Sequence, residues 1–588
     1  MVEERQSISN GKAMTEKEVS GARENFGDKI GLDFGTTYSV ISRIRERQGG
    51  HVTVEACALR EGGAGTEIQD SIVLKNKDGK LLFGPSARLK VGRNGTVAYT
   101  GFKMMLAETD KAVLSKRHYD DTFTPKRIVG EYIDHLLTQY VTTSNGNQRH
   151  IDKLVVGVPE IWSTSTLTID CRMALKEIIQ RFDYIEEVEV VSEPAAACAY
   201  FVQNYFESTG KKYEGKILIV DYGGGTLDIA LCDVKRNGTS SEVKAIARAG
   251  EGWNTQGTVG KAGMAFMEEI VKIALRKEGM KDEEIVSDQK FFSCVHYIEQ
   301  QLMVRAEEIR YALGGIYQLI IDTPDEIDDE FDSFEYNNRE VVVTYGMLVQ
   351  AYNNIIKERL DKKLNEIIKY MDAKGIDYKG SGNKDDFKIA MVGGFCNFYL
   401  TEYQIREKFE STFGAEDERF KDIIADRRDC EKAISYGAAL IANEVVEFKQ
   451  VAPYSLGLAT ESEPHNPLFA INKGEDIEYG KVKMFVGNDK KPLLFGGDMI
   501  PLIAVNYDED PKFAEVGAPL KEYLEKLNLE EGKLYKFGYS LDQSLVITLH
   551  KWVVPKRSKP DIVEDEVTVV LDKISKMMGH LIVMRGGE

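Results

Sequence analysis

The chain has 588 residues, of which 43% are hydrophobic and 29% are charged, and its formal net charge is -19. This length and apolar content are enough for several folded domains and exclude a largely disordered protein. The negative charge argues against nucleic acid or an anionic membrane as the main partner, because both attract basic surfaces.

The seven cysteines are scattered along the sequence and form no Cys-x-x-Cys motif. This pattern predicts reduced thiols in apolar cores and a cytoplasmic protein. The sequence contains no apolar stretch that could span a membrane, and residues 1-28 lack the apolar core of a signal peptide. We predict that residues 1-28 form a flexible tail.

The first predicted element is a hairpin at the start of the folded region. An apolar run ends at Asp33, the turn contains Gly35, Thr36 and Thr37, and a second apolar run starts at Tyr38. Backbone N–H groups in such a turn can bind phosphate oxygens, and an aspartate can bind Mg²⁺ through water. The alternative is an ordinary glycine-rich hairpin without a ligand.

A strand–helix–strand alternation follows. Residues 153–159 are predicted as a strand that ends in proline, residues 169–182 as a helix and residues 188–191 as a second strand. Glu193 and Pro194 then start a further helix. This alternation is typical of an α/β half-domain.

A second hairpin with the same organisation lies at residues 217–234. The residues that repeat the first pattern are Asp221, Gly223, Gly224, Gly225, Thr226 and Asp228. Two phosphate-type hairpins in one chain predict two similar half-domains that face each other across a nucleotide cleft. Because the pattern is duplicated, chance explains it less well than it would explain either hairpin alone.

The order of motifs resembles a known superfamily. The two hairpins, the Glu193-Pro194-Ala195-Ala196-Ala197 run between them and the later Gly393-Gly394 pair are arranged as in the actin, sugar kinase and heat-shock ATPase superfamily. Within it, residues 31–39 (Gly-Leu-Asp-Phe-Gly-Thr-Thr-Tyr-Ser) and the Glu-Pro-Ala-Ala-Ala run most resemble the heat shock protein 70 family, the DnaK-type chaperones. The resemblance covers about residues 29–460.

The resemblance implies an α/β fold with a duplicated, actin-like (ribonuclease H-like) ATPase domain. Its two lobes would enclose a nucleotide cleft and would comprise residues 29–442. A linker at residues 443–453 would lead to a smaller β-rich domain for a substrate or partner at residues 454–588. The sequence of this last domain predicts no helical lid, and the linker lacks the usual run of leucines.

The resemblance also implies ATP or ADP and Mg²⁺ as cofactors. It assigns catalysis to Lys103, Glu193, Asp221 and Thr226, with Lys103 as the cation near the γ-phosphate, and water-mediated metal binding to Asp33, Asp221 and Glu193. The residues expected to bind the nucleotide are Gly35, Thr36, Thr37, Tyr38, Gly223, Gly224, Gly225, Glu307, Arg310, Gly393, Gly394 and Phe395.

Several positions depart from the family pattern. Thr166 and Leu167 stand where family members carry a glutamine and the arginine that relays the nucleotide state. Tyr311 and Gly314 replace an arginine and a serine of the helix that grips the adenosine. We therefore expect ATP to bind with altered affinity or base preference, with Phe395 or Tyr311 stacking on the purine.

The implied function is that of an ATP-dependent chaperone in which Mg-ATP hydrolysis switches a C-terminal domain. Its partners would be unfolded or extended polypeptides and possible co-chaperones. The alternative is an actin-like, nucleotide-dependent scaffold or regulatory protein that binds one dedicated protein partner. A small-molecule kinase has weaker support, because the first phosphate turn resembles that of the chaperones.

Overall fold

The structure is a computed structural model of the chain. It describes residues 28–48, 51–59, 65–93, 95–144, 150–238, 240–252, 262–286, 289–314, 321–379, 386–410, 427–487, 489–508, 510–554 and 566–578. Residues 1–27 of the predicted tail lie outside these ranges. The described chain is of the mixed α/β class with several sheets, as predicted.

Residues 28–209 form what we call the first half of the chain. Its strands and helices are, in order, β1 (Lys29–Phe34), β2 (Tyr38–Gln48), β3 (His51–Ala56), β4 (Ile68–Asp70), β5 (Ile72–Lys75), β6 (Leu81–Phe83), α1 (Gly84–Arg88), β7 (Val97–Thr100), α2 (Lys111–Lys116), α3 (Pro125–Ser144), β8 (Ile151–Val158), α4 (Ile161–Thr164), α5 (Asp170–Ile179), β9 (Ile185–Ser192) and α6 (Glu193–Thr209). The main sheet has the order β3-β2-β1-β8-β9, with β4 paired to β2.

Residues 215–450 form the second half. Its elements are β10 (Gly215–Tyr222), β11 (Leu227–Asn237), β12 (Ser240–Glu251), α7 (Gly263–Lys277), α8 (Asp282–Val286), α9 (Gln289–Val304), α10 (Ala306–Gly314), β13 (Glu330–Tyr336), β14 (Arg339–Thr344), α11 (Tyr345–Tyr352), α12 (Glu358–Lys374), β15 (Phe387–Val392), α13 (Tyr399–Glu410), α14 (Arg427–Cys430), α15 (Ala433–Ala442) and β16 (Val446–Gln450). The main sheet has the order β15-β10-β11-β12-β16.

The two main sheets share one pairing scheme around their predicted hairpins. β1 is antiparallel to β2 and parallel to β8, and β10 is likewise antiparallel to β11 and parallel to β15. Each sheet has an aspartate near the end of its hairpin's first strand: Asp33 lies opposite Val40, and Asp221 lies opposite Asp228. The matched topology places both glycine turns at corresponding sheet ends.

Small residues allow close packing of α15 and α6 against the first sheet. A Cβ atom on Gly31 of β1 would lie 2.3 Å from Ala439 N, and one on Gly437 would lie 1.6 Å from Ala196 O. Backbones can approach this closely only where side chains are absent or small. The alanine run after Glu193 therefore serves as a helix contact surface.

The segment predicted as a linker contains a strand. β16 pairs in parallel with β12, with Ser241 opposite Val446 and Ala245 opposite Gln450. The sequence of this segment alternates buried and exposed residues, with Val446, Phe448 and Gln450 buried. It is therefore an edge strand of the second sheet over these five residues.

The C-terminal region, residues 451–578, contains two further sheets. Its elements are β17 (Ser455–Thr460), β18 (Glu463–Ile471), β19 (Lys483–Met484), β20 (Phe495–Gly496), β21 (Pro501–Asn506), β22 (Glu515–Gly517), α16 (Lys521–Leu527), β23 (Leu534–Leu541), β24 (Ile547–Val554) and β25 (Glu566–Val570). The sheets have the orders β18-β17-β21-β22 and β19-β23-β24-β25, with β20 paired to β23. Apolar residues of both sheets share one core, to which Ile574, Met577 and Met578 contribute.

Two composition-based expectations can be compared with the described residues. Six cysteines (Cys57, Cys171, Cys198, Cys232, Cys294 and Cys430) are buried and form no disulfide in the described part of the chain, as predicted. Across the described ranges, no helix combines the length and the apolar character that a membrane crossing requires.

Candidate functional site

A cavity of about 380 Å³ lies where the two glycine turns meet. The first half contributes residues 35–38 and the second half contributes Gly224, part of α9 and α10, and residues 393–395. This volume is within the range of cavities that bind small molecules. Most residues that the sequence assigns to a nucleotide therefore lie around one space.

The two turns touch each other through threonine and glycine. A Cβ atom on Gly224 would lie 2.1 Å from Thr37 Oγ1, and one on Gly225 would lie 2.3 Å from Thr36 Oγ1. Both distances are far shorter than a carbon–oxygen contact allows, so that a side chain at either position would force the facing threonine to move. Gly223 is less restricted, because its nearest neighbour is Thr226 O at 3.8 Å.

Four carboxylates lie next to the turns. Asp33 ends β1, Asp221 and Asp228 lie opposite each other on β10 and β11, and Glu193 begins α6. One carboxylate oxygen from each of Glu193, Asp221 and Asp228 lies within 4.8 Å of the others. Oxygen ligands at this spacing suit a hard divalent cation that keeps some of its water molecules.

The electrostatics of this cluster favour binding of a cation. Burial, followed by the charge of Glu193, raises the pKa of the Asp33 carboxyl to about 7, while Lys103 opposes the rise. Burial and the charge of Glu193 also hold the pKa values of Asp221 and Asp228 well above the ordinary range. A bound divalent cation would reverse these shifts, because it stabilises the ionised carboxylates.

Lys103 is held against the cluster by Glu193. Its Nζ lies 2.5 Å from Glu193 Oε1, and both side chains are almost fully buried. The ammonium also lies 5.7 Å from the ring centre of Phe34 and 5.9 Å from that of Trp162, a distance at which cation–π attraction contributes. The predicted catalytic lysine and glutamate are thus one buried ion pair.

Two buried polar atoms at this site lack a hydrogen-bond partner among the described residues. They are Thr37 Oγ1 in the first turn and Asp228 Oδ2 beside the second. Buried polar groups are almost always paired in folded proteins, so that such atoms point to a ligand or its water molecules. The set of hydroxyls, carboxylates, a lysine and glycine backbone fits phosphate with Mg²⁺.

The end of the cavity expected to hold the base is rich in aromatic side chains. Glu307 and Phe395 line it, together with Phe398 and Tyr399. Phe395 is itself packed in an aromatic cluster, with ring centres 4.9 Å from Phe266 and 5.1 Å from Tyr222. This end is therefore more aromatic than the sequence motif alone suggests.

Arg310 and Tyr311 are placed outside the wall of the cavity. The Arg310 guanidinium forms an ion pair with Glu402 and lies 5.5 Å from the ring centre of Tyr399. Tyr311 is 91% exposed and does not line the cavity. In this conformation only Phe395, of the two aromatic residues considered, is in position to meet a purine.

Sequence reasoning missed a buried polar group that joins the two halves. The backbone N–H of Glu160 donates to Asp228 Oδ1, and the Glu160 carboxylate accepts from Ser192 Oγ. Arg248 Nε lies 3.5 Å from Glu160 Oε2, and both side chains are buried. The one sequence signal for this group is that Glu160 directly follows Pro159, at the end of a predicted strand.

Leu167 stands where family members carry an arginine, and an arginine, Arg172, follows a few residues later in the chain. Leu167 is 45% exposed, but Arg172 on α5 is buried. Its Nε donates to Ser544 O of the C-terminal region over 3.1 Å, and its NH2 donates to Val190 O over 3.2 Å. An arginine contact between the first half and the C-terminal region therefore exists at a neighbouring position.

Comparison with known proteins gives consistent results. A family model described as Hsp70 protein matches residues 29–473. The chaperone protein DnaK of Elusimicrobium minutum is 30% identical over 36% of this chain and 30% of that relative. The chaperone protein DnaK of Nitrosopumilus maritimus is 24% identical over 78% of this chain and 63% of that relative. The chain thus spans less than two thirds of the length of either relative.

Proposed function

The chain belongs to the Hsp70 family, and from this premise we propose that it is an ATP-dependent molecular chaperone. The observation that carries the proposal is the contact of the two glycine turns beside one cluster of buried carboxylates. Neither turn alone would suggest a triphosphate. A phosphate bound at their contact would receive hydrogen bonds from backbone N–H groups and threonine hydroxyls of both halves of the chain.

Phosphate binding would use the two turns from opposite sides. Residues 35–37 and residues 224–226 would supply backbone N–H donors, and the Thr36, Thr37 and Thr226 hydroxyls would donate to phosphate oxygens. Asp33, Asp221 and Glu193 would hold the Mg²⁺ ion through water molecules. When bound, this ion would neutralise negative charge that develops on the phosphates.

The remaining residues would orient the attacking water and stabilise charge. The Lys103 ammonium would donate towards the γ-phosphate, because Glu193 fixes its position 2.5 Å away. Asp221 would accept a hydrogen bond from the water, and Thr226 would hold the turn in place. Catalysis of phosphoryl transfer depends mainly on such positioning and on preorganised charge.

We propose that the nucleotide state reaches the C-terminal region through contacts at α5 and β16. Arg172 and Lys176 contact Ser544 and Asp542, with Lys176 Nζ 2.8 Å from Asp542 Oδ2. Arg248, which lies beside Glu160, donates to Val451 O at the end of β16 over 3.2 Å. These contacts give a continuous route from Asp228 to the C-terminal sheets.

The C-terminal region would bind extended polypeptides. Its exposed apolar side chains include Leu468, Leu494, Met499 and Phe513, each about half exposed. We propose that these side chains contact the bound polypeptide. The six buried cysteines that the structure describes without a disulfide fit the reducing cytoplasm that we propose as its location.

The second candidate function is an actin-like scaffold or regulatory protein with one dedicated partner. The observation that favours it is the base end of the cavity, where Arg310 is occupied by Glu402 and Tyr311 faces solvent. A base end that departs in this way from the chaperone pattern favours a function other than the chaperone cycle.

Three measurements on the full chain separate these functions. Calorimetry with Mg-ATP and Mg-ADP tests nucleotide binding, and phosphate release tests hydrolysis. Suppression of the aggregation of an unrelated unfolded protein, measured with and without ATP, tests chaperone activity. Hydrolysis together with ATP-dependent suppression supports the chaperone, whereas binding without suppression supports the scaffold. Absence of nucleotide binding would contradict both.

A further inference from the structure

A histidine and two carboxylates converge at one edge of the first sheet. His150 directly precedes β8, Asp152 lies on β8, and Glu186 lies on β9, which is the edge strand of this sheet. One ligand atom from each of the three residues lies within 4.8 Å of the others. Their side chains are 52%, 36% and 71% exposed, so that an ion from solution can reach all three.

The pairing of the two strands brings the carboxylates side by side. β8 and β9 are parallel, with Ile151 opposite Ile185. Asp152 and Glu186 are the next residues of the two strands and are therefore neighbours across the sheet. Like charges in such neighbouring positions destabilise a sheet. A cation between the two carboxylates would replace this repulsion by attraction to both.

His150 directs one ring nitrogen towards both carboxylates. Its Nε2 lies 3.3 Å from Asp152 Oδ1 and 3.5 Å from Glu186 Oε2. N–H···O hydrogen bonds are typically about 2.9 Å long, and one N–H cannot point directly at two acceptors. Around a tetrahedral zinc ion with bonds of about 2.1 Å, two ligand atoms lie about 3.4 Å apart. The two separations therefore fit two edges of a coordination tetrahedron better than two hydrogen bonds.

The side chain that follows Asp152 does not neutralise the pair. Lys153 Nζ lies 3.0 Å from Glu187 Oε1 and 2.8 Å from Glu189 Oε2, so that it is bound to other carboxylates of β9. Among the residues that the structure describes, His150 is the one basic side chain within 4 Å of Asp152 or Glu186. The charge of the two carboxylates is thus left for an ion to balance.

Two simpler explanations account for only part of this arrangement. Charged residues on an edge strand prevent pairing with the strands of other chains. A protonated histidine beside two carboxylates forms an exposed ion pair, which contributes little to stability. Either explanation accounts for the charges, but neither requires a nitrogen and two oxygens to converge on one point at the separations of metal ligands.

The ligand set indicates the class of metal. One imidazole nitrogen with two carboxylate oxygens suits Zn²⁺ and neighbouring transition metals, whereas Ca²⁺ and Mg²⁺ are bound by oxygen ligands alone. Three protein ligands leave the fourth tetrahedral position to water. We propose that His150, Asp152 and Glu186 form a surface site for Zn²⁺. The bound ion would fasten the edge strand β9 to the start of β8.

This site lies far from the nucleotide cavity. β8 and β9 end at Val158 and Ser192, next to Glu160 and Glu193 of the candidate functional site. His150 lies at the opposite end of β8, roughly 25 Å away at a rise of about 3.3 Å per residue. The inference therefore does not depend on the proposed function, and loss of this site should leave nucleotide binding unchanged.

The first test is calorimetric titration of the full chain with Zn²⁺ in excess Mg²⁺, which occupies the carboxylates beside the glycine turns. His150→Gln should weaken Zn²⁺ binding at least about tenfold, because loss of an outer-shell partner alone already costs that much. Glu186→His should strengthen it, since an imidazole suits Zn²⁺ better than a single carboxylate oxygen does. His465→Gln, at an exposed position on β18, is the matched control and should titrate as the wild type.

Equal Zn²⁺ affinities of the wild type and His150→Gln would assign the binding to adventitious groups elsewhere and overturn the site. Circular dichroism verifies that the variants are folded.

The second test locates the ion by hydrogen exchange of the full chain with and without Zn²⁺. In the wild type, Zn²⁺ should slow exchange at the starts of β8 and β9 and leave the opposite ends of both strands unchanged. His150→Gln should show no such protection. Exchange at the two strand starts that Zn²⁺ does not alter in the wild type would overturn the proposal, even if the calorimeter records binding.

Discussion

The backbone N–H of Glu160 donates a hydrogen bond of 2.7 Å to Asp228 Oδ1. Glu160 follows β8 in the first half and Asp228 lies on β11 in the second, so that this bond joins the halves beside the candidate metal site. Ile161 N lies 3.3 Å from the same oxygen. Both donors stabilise the ionised carboxylate, in opposition to the effect of burial.

The first prediction concerns the buried pair of Arg248 and Glu160, whose side chains are 5% and 0% exposed. Arg248→Met should lower the free energy of unfolding by about 3–5 kcal/mol, because it removes a cation that lies 3.5 Å from a buried carboxylate. Urea denaturation followed by circular dichroism measures the change. The double variant Arg248→Met/Glu160→Gln should recover part of the loss, and failure to recover any would argue against a charge effect.

The second prediction concerns Lys103. Lys103→Met should lower the rate of ATP hydrolysis by a factor of about 100 or more, because the cation that stabilises charge near the γ-phosphate is lost. Phosphate release under single-turnover conditions gives the rate, and calorimetry verifies that the nucleotide still binds. Lys116→Met, on the exposed end of α2, serves as the matched lysine control. Full hydrolysis by Lys103→Met would remove this residue from the catalytic set.

The third prediction separates two neighbouring glycines. Gly225→Ala should weaken nucleotide binding strongly, because the new Cβ atom would lie 2.3 Å from Thr36 Oγ1 and would push the turns apart. Gly223→Ala should bind far better, since its nearest neighbour is 3.8 Å away. Calorimetric titration with Mg-ADP compares the two variants, and thermal unfolding shows whether both are folded. Equal affinities would contradict direct contact of the turns.

The fourth prediction concerns Asp170, which accepts hydrogen bonds from Ser575 in the C-terminal region. Burial raises the pKa of its carboxyl from 3.8 to about 6, although the bonds from Ser575 oppose the rise. The folded protein therefore binds this proton more tightly than the unfolded chain does. The contribution to stability is full below about pH 4 and is lost as the pH rises through about 6, a change of about 3 kcal/mol.

Asp170→Asn keeps a neutral group at every pH, so it should abolish this part of the pH dependence and be more stable than the wild type at about pH 7. Urea midpoints between about pH 4 and pH 7 measure the slope. Asp489→Asn, whose carboxylate is 61% exposed, is the control and should follow the wild type. A parallel slope for Asp170→Asn would show that another group titrates in this range.

The parts of the fold that the sequence predicted are those set by local chemistry. Both hairpins were predicted because apolar runs, a strand-end aspartate and glycine turns are adjacent in the chain. The same holds for α6, whose start is marked by Ser192, which accepts a hydrogen bond from Ala195 N as helix cap, and by Pro194. For these elements the neighbouring residues are sufficient.

Contacts between distant residues could not be predicted in the same way. Arg172 and Ser544 are 372 residues apart, and Arg88 and His296 are 208 apart. Neither pair belongs to a motif, so that only the packing of whole elements brings them together. The family resemblance predicted that Arg310 contacts the nucleotide. Its ion pair with Glu402 could not be predicted, because this pair depends on how α13 packs against α10.

The parallel pairing of β16 with β12 has a mechanical consequence. A pull on the C-terminal region along the axis of β16 loads its main-chain hydrogen bonds together, in shear, whereas a loose tether would stretch before it transmitted any force. Force that a bound polypeptide exerts on the two C-terminal sheets would therefore be transmitted directly to the sheet of the second half. β16 acts as a stiff mechanical connection between the two regions.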